Sequence, residues 1–149
     1  MSSKKKILLI EDDGLLTRDL KEDLIKIGYI VESANFYADA IDQWRENNGM
    51  FDCIILDLNI NPIGMDDMEY NKYFPAHGIS VLDKFCEGLT PEESIRIWEK
   101  TIIYSGYIVY LREKKSEFLY YSLLHLIPKR GTSFSKVVEQ VKYVVHKSV

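Results

Sequence analysis

Five side chains that could take part in catalysis or metal binding each follow or end a run of apolar residues: Glu11, Asp12, Asp57, Ser105 and Lys129. Continuous apolar runs are typical of buried strands in a parallel sheet, and ligands bind beyond the carboxyl ends of such strands. Because these ends lie along the same edge of a sheet, the sequence predicts that carboxylates, a hydroxyl and a lysine surround one crevice.

Carboxylates gathered in one crevice need a cation or a proton. At a few ångströms each pair repels by roughly 4 kcal/mol at an effective dielectric constant near 20. Oxygen ligands at this density favour Mg²⁺ over Zn²⁺. We expect Asp12 and Asp57 to be direct ligands and Asp13 to be a neighbour that tunes the local field.

The same residues suit phosphoryl transfer. Asp57 is the candidate nucleophile, since a carboxylate can attack phosphorus and form an acyl phosphate. The metal and Lys129 would neutralise the charge that develops on the phosphoryl oxygens, and the Ser105 hydroxyl would donate a hydrogen bond to them.

Composition limits the classes of protein to consider. A chain of 149 residues with 46% hydrophobic residues predicts a single domain, 1–149. The net charge of −4 and pI near 5.4 provide no broad basic surface, so direct binding to nucleic acid or to a membrane surface is not expected. Residues 1–6 lack the apolar core of a signal peptide, and no apolar run approaches the roughly 18 residues of a spanning helix. We expect a cytoplasmic protein in which Cys53 and Cys86 are buried free thiols.

Helical periodicity separates the apolar runs and defines the elements that must position these side chains. Apolar residues at helical spacing predict a first helix that ends at Gly28, a second that ends near residues 47–49, and a third over 79–85. Another stripe over 134–145 predicts a closing helix. Strands and helices therefore alternate, which predicts an α/β fold, a three-layer doubly wound domain with a five-stranded parallel sheet.

Two segments are longer than the connections that a simple alternation of strands and helices needs. Residues 60–77 predict a long inserted loop after the third strand, either a functional lid over the crevice or a variable surface loop. Thr90, Pro91 and Glu93 form a capping-box pattern, which predicts an extra short helix before the fourth strand.

Residues 5–13, 51–58 and 77–82, with Ser105 and Lys129, resemble the response-regulator receiver domains of two-component signalling over nearly the whole chain. The resemblance implies the flavodoxin-like strand order 2-1-3-4-5. It also implies phosphorylation of Asp57, metal contact by Glu11 through a bound water and by the backbone carbonyl of Asn59, and a phosphate-dependent switch.

The chain departs from the receiver pattern at its switching parts. Leu126 stands where the family has Tyr or Phe, Arg130 replaces a proline, and Gly106 replaces a small residue that is usually alanine. Five tyrosines near the fourth and fifth strands form either an output face or the packing of a modified helix: Tyr104, Tyr107, Tyr110, Tyr120 and Tyr121.

Two other classes deserve weight. Hydrolases of the haloacid dehalogenase type also use a strand-end aspartate with Mg²⁺, but they place a second acid where this chain has Asn59, which cannot transfer a proton in that way. The alternative we keep open is a receiver-like interaction module that binds partners without phosphorylation. Nucleotide chemistry has little support because no glycine-rich phosphate loop occurs, and the three histidines have no ligand spacing.

The sequence thus predicts a stand-alone phospho-accepting receiver that takes a phosphoryl group from a histidine kinase or a histidine phosphotransfer protein. It would pass the signal to a downstream protein effector by contact or by phosphorelay, and a homodimer is a further state the sequence allows. We expect no enzymatic activity beyond self-catalysed phosphotransfer and autodephosphorylation.

Overall fold

The computed structural model describes residues 4–147, so Met1–Ser3 of the segment tested for a signal peptide lie outside the described residues. This part of the chain forms a five-stranded sheet whose order is β2-β1-β3-β4-β5, with every pairing parallel. The predicted flavodoxin-like order is confirmed. The strands are β1 Lys6–Ile10, β2 Ile30–Ala34, β3 Cys53–Leu56, β4 Thr101–Ser105 and β5 His125–Pro128.

Helices cover both faces of the sheet, as the apolar runs predicted. They are α1 Gly14–Ile27, α2 Tyr37–Glu46, α3 Asp67–Tyr73, α4 Ile79–Phe85, α5 Pro91–Glu99, α6 Ile108–Glu113 and α7 Phe134–Lys147. Helices α1 and α7 pack on one face and α2 to α6 on the other, so the three-layer arrangement is confirmed. Strands β3 and β4 are wholly buried because neither face meets solvent.

Helix α1 ends at Gly28, as the sequence predicted. Its face toward the sheet carries Leu20 and Leu24, both fully buried. Gly28 ends the helix with a φ of 111°, a left-handed conformation that favours glycine. Ile27 continues the helical spacing of these leucines but is 41% exposed, because it lies in the last turn of the helix.

The insertion after β3 is present, but the prediction of an irregular loop is wrong for part of it. Residues 67–73 form α3, whose amino end is capped by Asp66 through a 2.8 Å hydrogen bond from the Glu69 backbone N–H. This helix has no apolar stripe that the sequence pattern could detect. A hydrogen bond from Tyr37 to Glu69 (2.8 Å) and another from Tyr73 to Asp83 fasten it to α2 and α4. The insertion therefore packs on the outer layer of helices.

The extra helix before β4 is α5, and the structure confirms its capping box. The Glu93 backbone N–H donates to Thr90 Oγ1 at 3.2 Å, and the Glu93 carboxylate accepts from the Thr90 backbone N–H at 3.2 Å. Pro91 occupies the first turn, where a missing N–H has no cost. Three residues therefore defined this helix without any tertiary information.

The segment between β4 and β5 contains structure that periodicity did not predict. It holds α6 and two 3₁₀ helices, Lys115–Glu117 and Tyr121–Leu123. Strand β5 consequently begins at His125, two residues later than the apolar run suggested. Leu124 instead packs into the core under α2 to α6, which explains why an apolar residue here is not part of the strand.

Both cysteines are free thiols, as predicted, although only Cys53 is buried and Cys86 is half-buried. Burial raises the pKa of the Cys53 thiol, which keeps it protonated and inert. Within residues 4–147 no helix combines the length and the apolar character needed to cross a membrane.

Candidate functional site

The turn after β1 presents three acids with different environments. Glu11 is buried, whereas Asp12 and Asp13 are exposed. The Asp13 carboxylate caps α1 by accepting the backbone N–H groups of Leu15 and Leu16, each at 3.1 Å. Asp13 is thus a helix cap, which leaves Glu11 and Asp12 as the acids of this turn that face the crevice.

Asp57 lies at the centre of the crevice, one residue beyond β3, and is only 4% exposed. Its Oδ1 accepts the Asn59 backbone N–H at 3.1 Å, and its Oδ2 accepts from Lys129 Nζ at 2.9 Å. Lys129 Nζ also contacts Glu11 Oε2 at 2.7 Å. One ammonium group therefore joins the acid after β1 to the acid after β3, which the adjacency of these strands allows.

Burial and mutual repulsion make Glu11 and Asp12 weaker acids than usual. Desolvation and the Asp57 charge raise the pKa of Glu11 to about 7, against the opposing effect of Lys129. The same two causes raise the pKa of Asp12. Burial works against the charge on Lys129, yet its hydrogen bonds to Glu11 and Asp57 outweigh it and raise the pKa of the ammonium group. The crevice thus holds more negative charge than Lys129 can neutralise.

The acids can converge on a cation. One carboxylate oxygen each of Glu11, Asp12 and Asp57 lies within 4.8 Å of the others, and within residues 4–147 no other cluster of metal-binding side chains was found. When all three carboxylates are ionised, one ammonium group leaves a charge of −2, which suits a divalent ion, and an oxygen-only donor set suits Mg²⁺. The donor set therefore fits the predicted metal, and the Asn59 carbonyl follows on the same loop.

Ser105 ends β4 beside the loop that carries Asp57 and is fully buried. Its hydroxyl oxygen accepts the backbone N–H of Leu58 at 3.4 Å and that of Tyr107 at 3.0 Å. Because both bonds use the oxygen as acceptor, the hydroxyl hydrogen can be donated to a group on Asp57. Ser105 also connects the residue after the acceptor to Tyr107, the residue that precedes α6.

Gly78 packs directly against the backbone of Asp57 and Leu58. Its backbone N–H donates to the Leu58 carbonyl at 2.7 Å. A Cβ atom at this position would lie 2.2 Å from the carbonyl oxygen of Asp57 and 2.8 Å from the Cα of Leu58. Only glycine allows this approach of α4 to the acceptor loop.

The five tyrosines near β4 and β5 do not form one face. Tyr104 is buried against α1 and α7, while Tyr107, Tyr120 and Tyr121 are half-buried beside the opposite layer. Tyr110 is exposed and contacts Tyr107 edge to face at a 5.5 Å centroid separation. The packing interpretation therefore holds for Tyr104, and Tyr107 with Tyr110 remain the candidates for an output contact.

The other departures from the receiver pattern lie around the same edge. Leu126 is half-buried in β5 opposite Ile103, and Arg130 and Gly106 are exposed. His125 bonds to a backbone carbonyl and to Gln140, while His77 is buried between the rings of Tyr70 and Phe74.

Sequence reasoning missed the contact between Lys129 and Glu11. Each residue could be placed at a strand end, but their meeting depends on the neighbouring positions of β1, β3, β4 and β5 in the sheet. It also missed the contact between Lys129 and Tyr104, whose ring centroid lies 5.8 Å from Lys129 Nζ. The strand-end position of Tyr104, next to Ser105, was the available signal.

No protein-family model matches the sequence, and no curated protein is significantly similar to it. Solved structures do resemble the fold of this chain. The HemR receiver domain from Leptospira biflexa is 20% identical with a TM-score of 0.63, and the match covers 95% of this chain and 94% of that one.

Two further structures extend this likeness. A response regulator receiver protein from Sinorhizobium medicae gives a TM-score of 0.68 at 16% identity, covering 97% of this chain and 96% of that chain. The response regulator TrrA from Thermotoga maritima, solved in complex with Mg²⁺ and a beryllium fluoride, gives 0.62 at 21% identity, covering 94% and 98%. The chain therefore has the fold of response-regulator receiver domains.

Proposed function

We propose that this protein is a phospho-accepting receiver that takes a phosphoryl group onto Asp57 in a Mg²⁺-dependent reaction. The observation that carries the proposal is the buried Asp57 carboxylate, held by Lys129 Nζ at 2.9 Å and bordered by Glu11 and Asp12. The receiver fold makes this arrangement a coherent site, because the fold brings the same strand ends together.

The residues divide the work of phosphoryl transfer among them. An Asp57 oxygen attacks phosphorus and forms an acyl phosphate bond, while the bond from phosphorus to the donor's histidine nitrogen breaks and that nitrogen keeps the electron pair. Lys129 neutralises charge on the phosphoryl oxygens, and the Ser105 hydroxyl donates a hydrogen bond to one of them. Glu11, Asp12, Asp57 and the Asn59 carbonyl would hold Mg²⁺, which when bound screens the same developing charge.

The signal would leave through Ser105. When the Ser105 side chain rotates about its Cα–Cβ bond toward the phosphoryl group, its oxygen moves away from the Tyr107 backbone N–H that it now accepts at 3.0 Å. Tyr107 precedes α6, so this loss alters the start of that helix. Leu126 replaces the aromatic residue of the family, and we therefore assign the switch to the Ser105–Tyr107 connection. A phosphate-driven shift requires that phosphate favour one of the two arrangements.

The partners in this proposal are a histidine kinase or histidine phosphotransfer protein as donor and a protein effector that contacts the face around Tyr107 and Tyr110. The site would give phosphotransfer and slow autodephosphorylation but no sustained turnover, since Asn59 supplies no general acid. We place this activity in the cytoplasm. A receiver-like module that acts without phosphate remains the competing function, and Leu126 is the observation in its favour.

The test is binding of beryllofluoride, a phosphoryl mimic, followed by ¹⁹F NMR with and without Mg²⁺. We expect a bound signal that requires Mg²⁺ and is lost in Asp57→Asn. Asp13→Asn is the matched control, because it removes a neighbouring charge while an asparagine can still cap α1. A bound signal that persists in Asp57→Asn, or none in a folded wild type, would favour the phosphate-independent module.

A further inference from the structure

A cavity lies away from Asp57, where the insertion after β3 meets the extra helix before β4. It has a volume of about 250 Å³ and is bordered by α3, α4, α5 and the chain around the first 3₁₀ helix. None of its lining residues belongs to the acidic crevice. The cavity therefore needs an explanation that the receiver site does not supply.

Aromatic rings form much of the wall of this cavity. Tyr73 and Trp98 are buried, and Phe118 and Tyr120 are half-buried. The Trp98 ring centroid lies 6.5 Å from that of Phe118 and 6.1 Å from that of Tyr120, with the latter pair nearly edge to face. The faces of such rings carry partial negative charge and attract cations within about 6 Å of a ring centroid.

The charged groups at the rim are mostly acidic. Asp83 and Glu117 line the cavity and are exposed, and Asp83 accepts a hydrogen bond from the Tyr73 hydroxyl. Lys72 is the one lining cation, and its Nζ lies 5.1 Å from the Tyr73 ring centroid. The chain thus already places an ammonium group over one of these rings, and the lining residues keep a net charge of −1.

We propose that this cavity binds a small organic cation, an ammonium group that carries apolar substituents. The apolar substituents would contact the ring of Trp98 and its neighbours, and the charge would face Asp83 and Glu117 at the rim. The cavity is smaller than the roughly 300–1,000 Å³ that accommodates drug-sized ligands, which favours a small ion. A bare metal ion is a poor fit, because within residues 4–147 no three metal-binding side chains converge at this cavity.

The test compares two ligands of nearly the same shape. Choline carries a quaternary ammonium group, and 3,3-dimethylbutan-1-ol replaces its nitrogen by carbon and is neutral. Each is titrated into the ¹⁵N-labelled protein, with amide shifts followed at the lining residues. We expect saturable shifts with choline in the millimolar range or tighter and at least fivefold weaker binding of the neutral alcohol.

Two charge variants at the rim should change the affinity for choline in opposite directions. Glu117→Gln should weaken choline binding roughly two- to fivefold, and Lys72→Gln should strengthen it by a similar factor because it removes a competing cation. Glu113→Gln removes an exposed carboxylate that does not line the cavity and is the matched control, expected to change nothing.

Several results would overturn the proposal. Equal binding of choline and the alcohol would make the cavity merely apolar, and no saturable shift with either would mean that it binds neither. Equal effects of Glu117→Gln and Glu113→Gln, in variants whose spectra show an intact fold, would also contradict it. Asp57→Asn should bind choline as wild type does, so this result is independent of the receiver function.

Discussion

Lys129 is the residue on which the charge of the crevice depends. It contacts Glu11 at 2.7 Å and Asp57 at 2.9 Å, and both acids are almost completely buried. Removal of one partner of a buried ion pair leaves charge without compensation, which costs more than the net value of the pair. The lysine is itself 26% exposed, so water screens part of this effect.

In the absence of divalent ions, Lys129→Gln should lower the free energy of unfolding by about 2 kcal/mol. Urea unfolding in the presence of a chelator measures this change. Lys136→Gln, which removes an exposed lysine of α7, is the control and should have little effect. Equal stability of the two variants would mean that the contacts of Lys129 contribute nothing to the fold.

Asp12 and Asp13 are adjacent exposed acids, but Asp12 belongs to the acidic cluster whereas Asp13 caps α1. Asp12 approaches two buried carboxylates, so Asp12→Asn should raise the stability of the metal-free protein by up to about 1 kcal/mol and weaken Mg²⁺ binding at least tenfold. Asp13→Asn should change neither much, because asparagine can also cap α1. Mg²⁺ titrations followed by calorimetry, with thermal unfolding of each variant, measure both quantities. The assignment of Asp12 as a ligand fails if the two variants bind Mg²⁺ equally.

At the scale of elements, the start of α4 packs against the loop after β3 at Gly78. A methyl group there would overlap the Asp57 carbonyl oxygen, so Gly78→Ala should destabilise the protein by roughly 2–3 kcal/mol and reduce beryllofluoride binding. Gly106→Ala is the matched control, since a Cβ there has no atom within 4 Å, and it should be almost neutral. Denaturant unfolding of both variants tests the pair. A Gly78→Ala variant as stable as Gly106→Ala would show that the close approach at Gly78 is not needed.

The elements differ in how far the sequence determines them. Strands β1, β3 and β4 are buried on both faces and appear as apolar runs, and α5 carries its own capping box in Thr90 and Glu93. Helix α3 has no such pattern. Its position depends on Tyr37 and Asp83, which belong to other elements, so local sequence could not reveal it.

The candidate site follows the same division. Each chemical residue could be assigned to a strand end because buried parallel strands end in polar residues at a shared edge. The bond from Lys129 to Glu11 could not be foreseen, since it depends on side-chain conformations of residues far apart in the chain. The roles of Tyr104 and Tyr110 likewise required the fold, which buries the first and exposes the second.

At the scale of the whole molecule, two regions carry separate functions in this account. The receiver core places Asp57, Lys129 and Ser105 at one edge of the sheet, and the additional helices α3 and α5 build a second cavity against the outer layer. The phosphoryl transfer that we propose needs only the first region. The single-domain organisation over residues 1–149 stays a prediction, and the two regions share one sheet and one set of helices within residues 4–147.

The most direct measurement is the mass of the intact protein after incubation with a small phosphodonor, with and without Mg²⁺. We predict an increase of one phosphoryl group that requires Mg²⁺, is lost in Asp57→Asn and is retained in Asp13→Asn, with peptide mapping that places it on Asp57. An adduct of equal yield in Asp57→Asn, or no adduct in a wild type that binds Mg²⁺, would contradict the account.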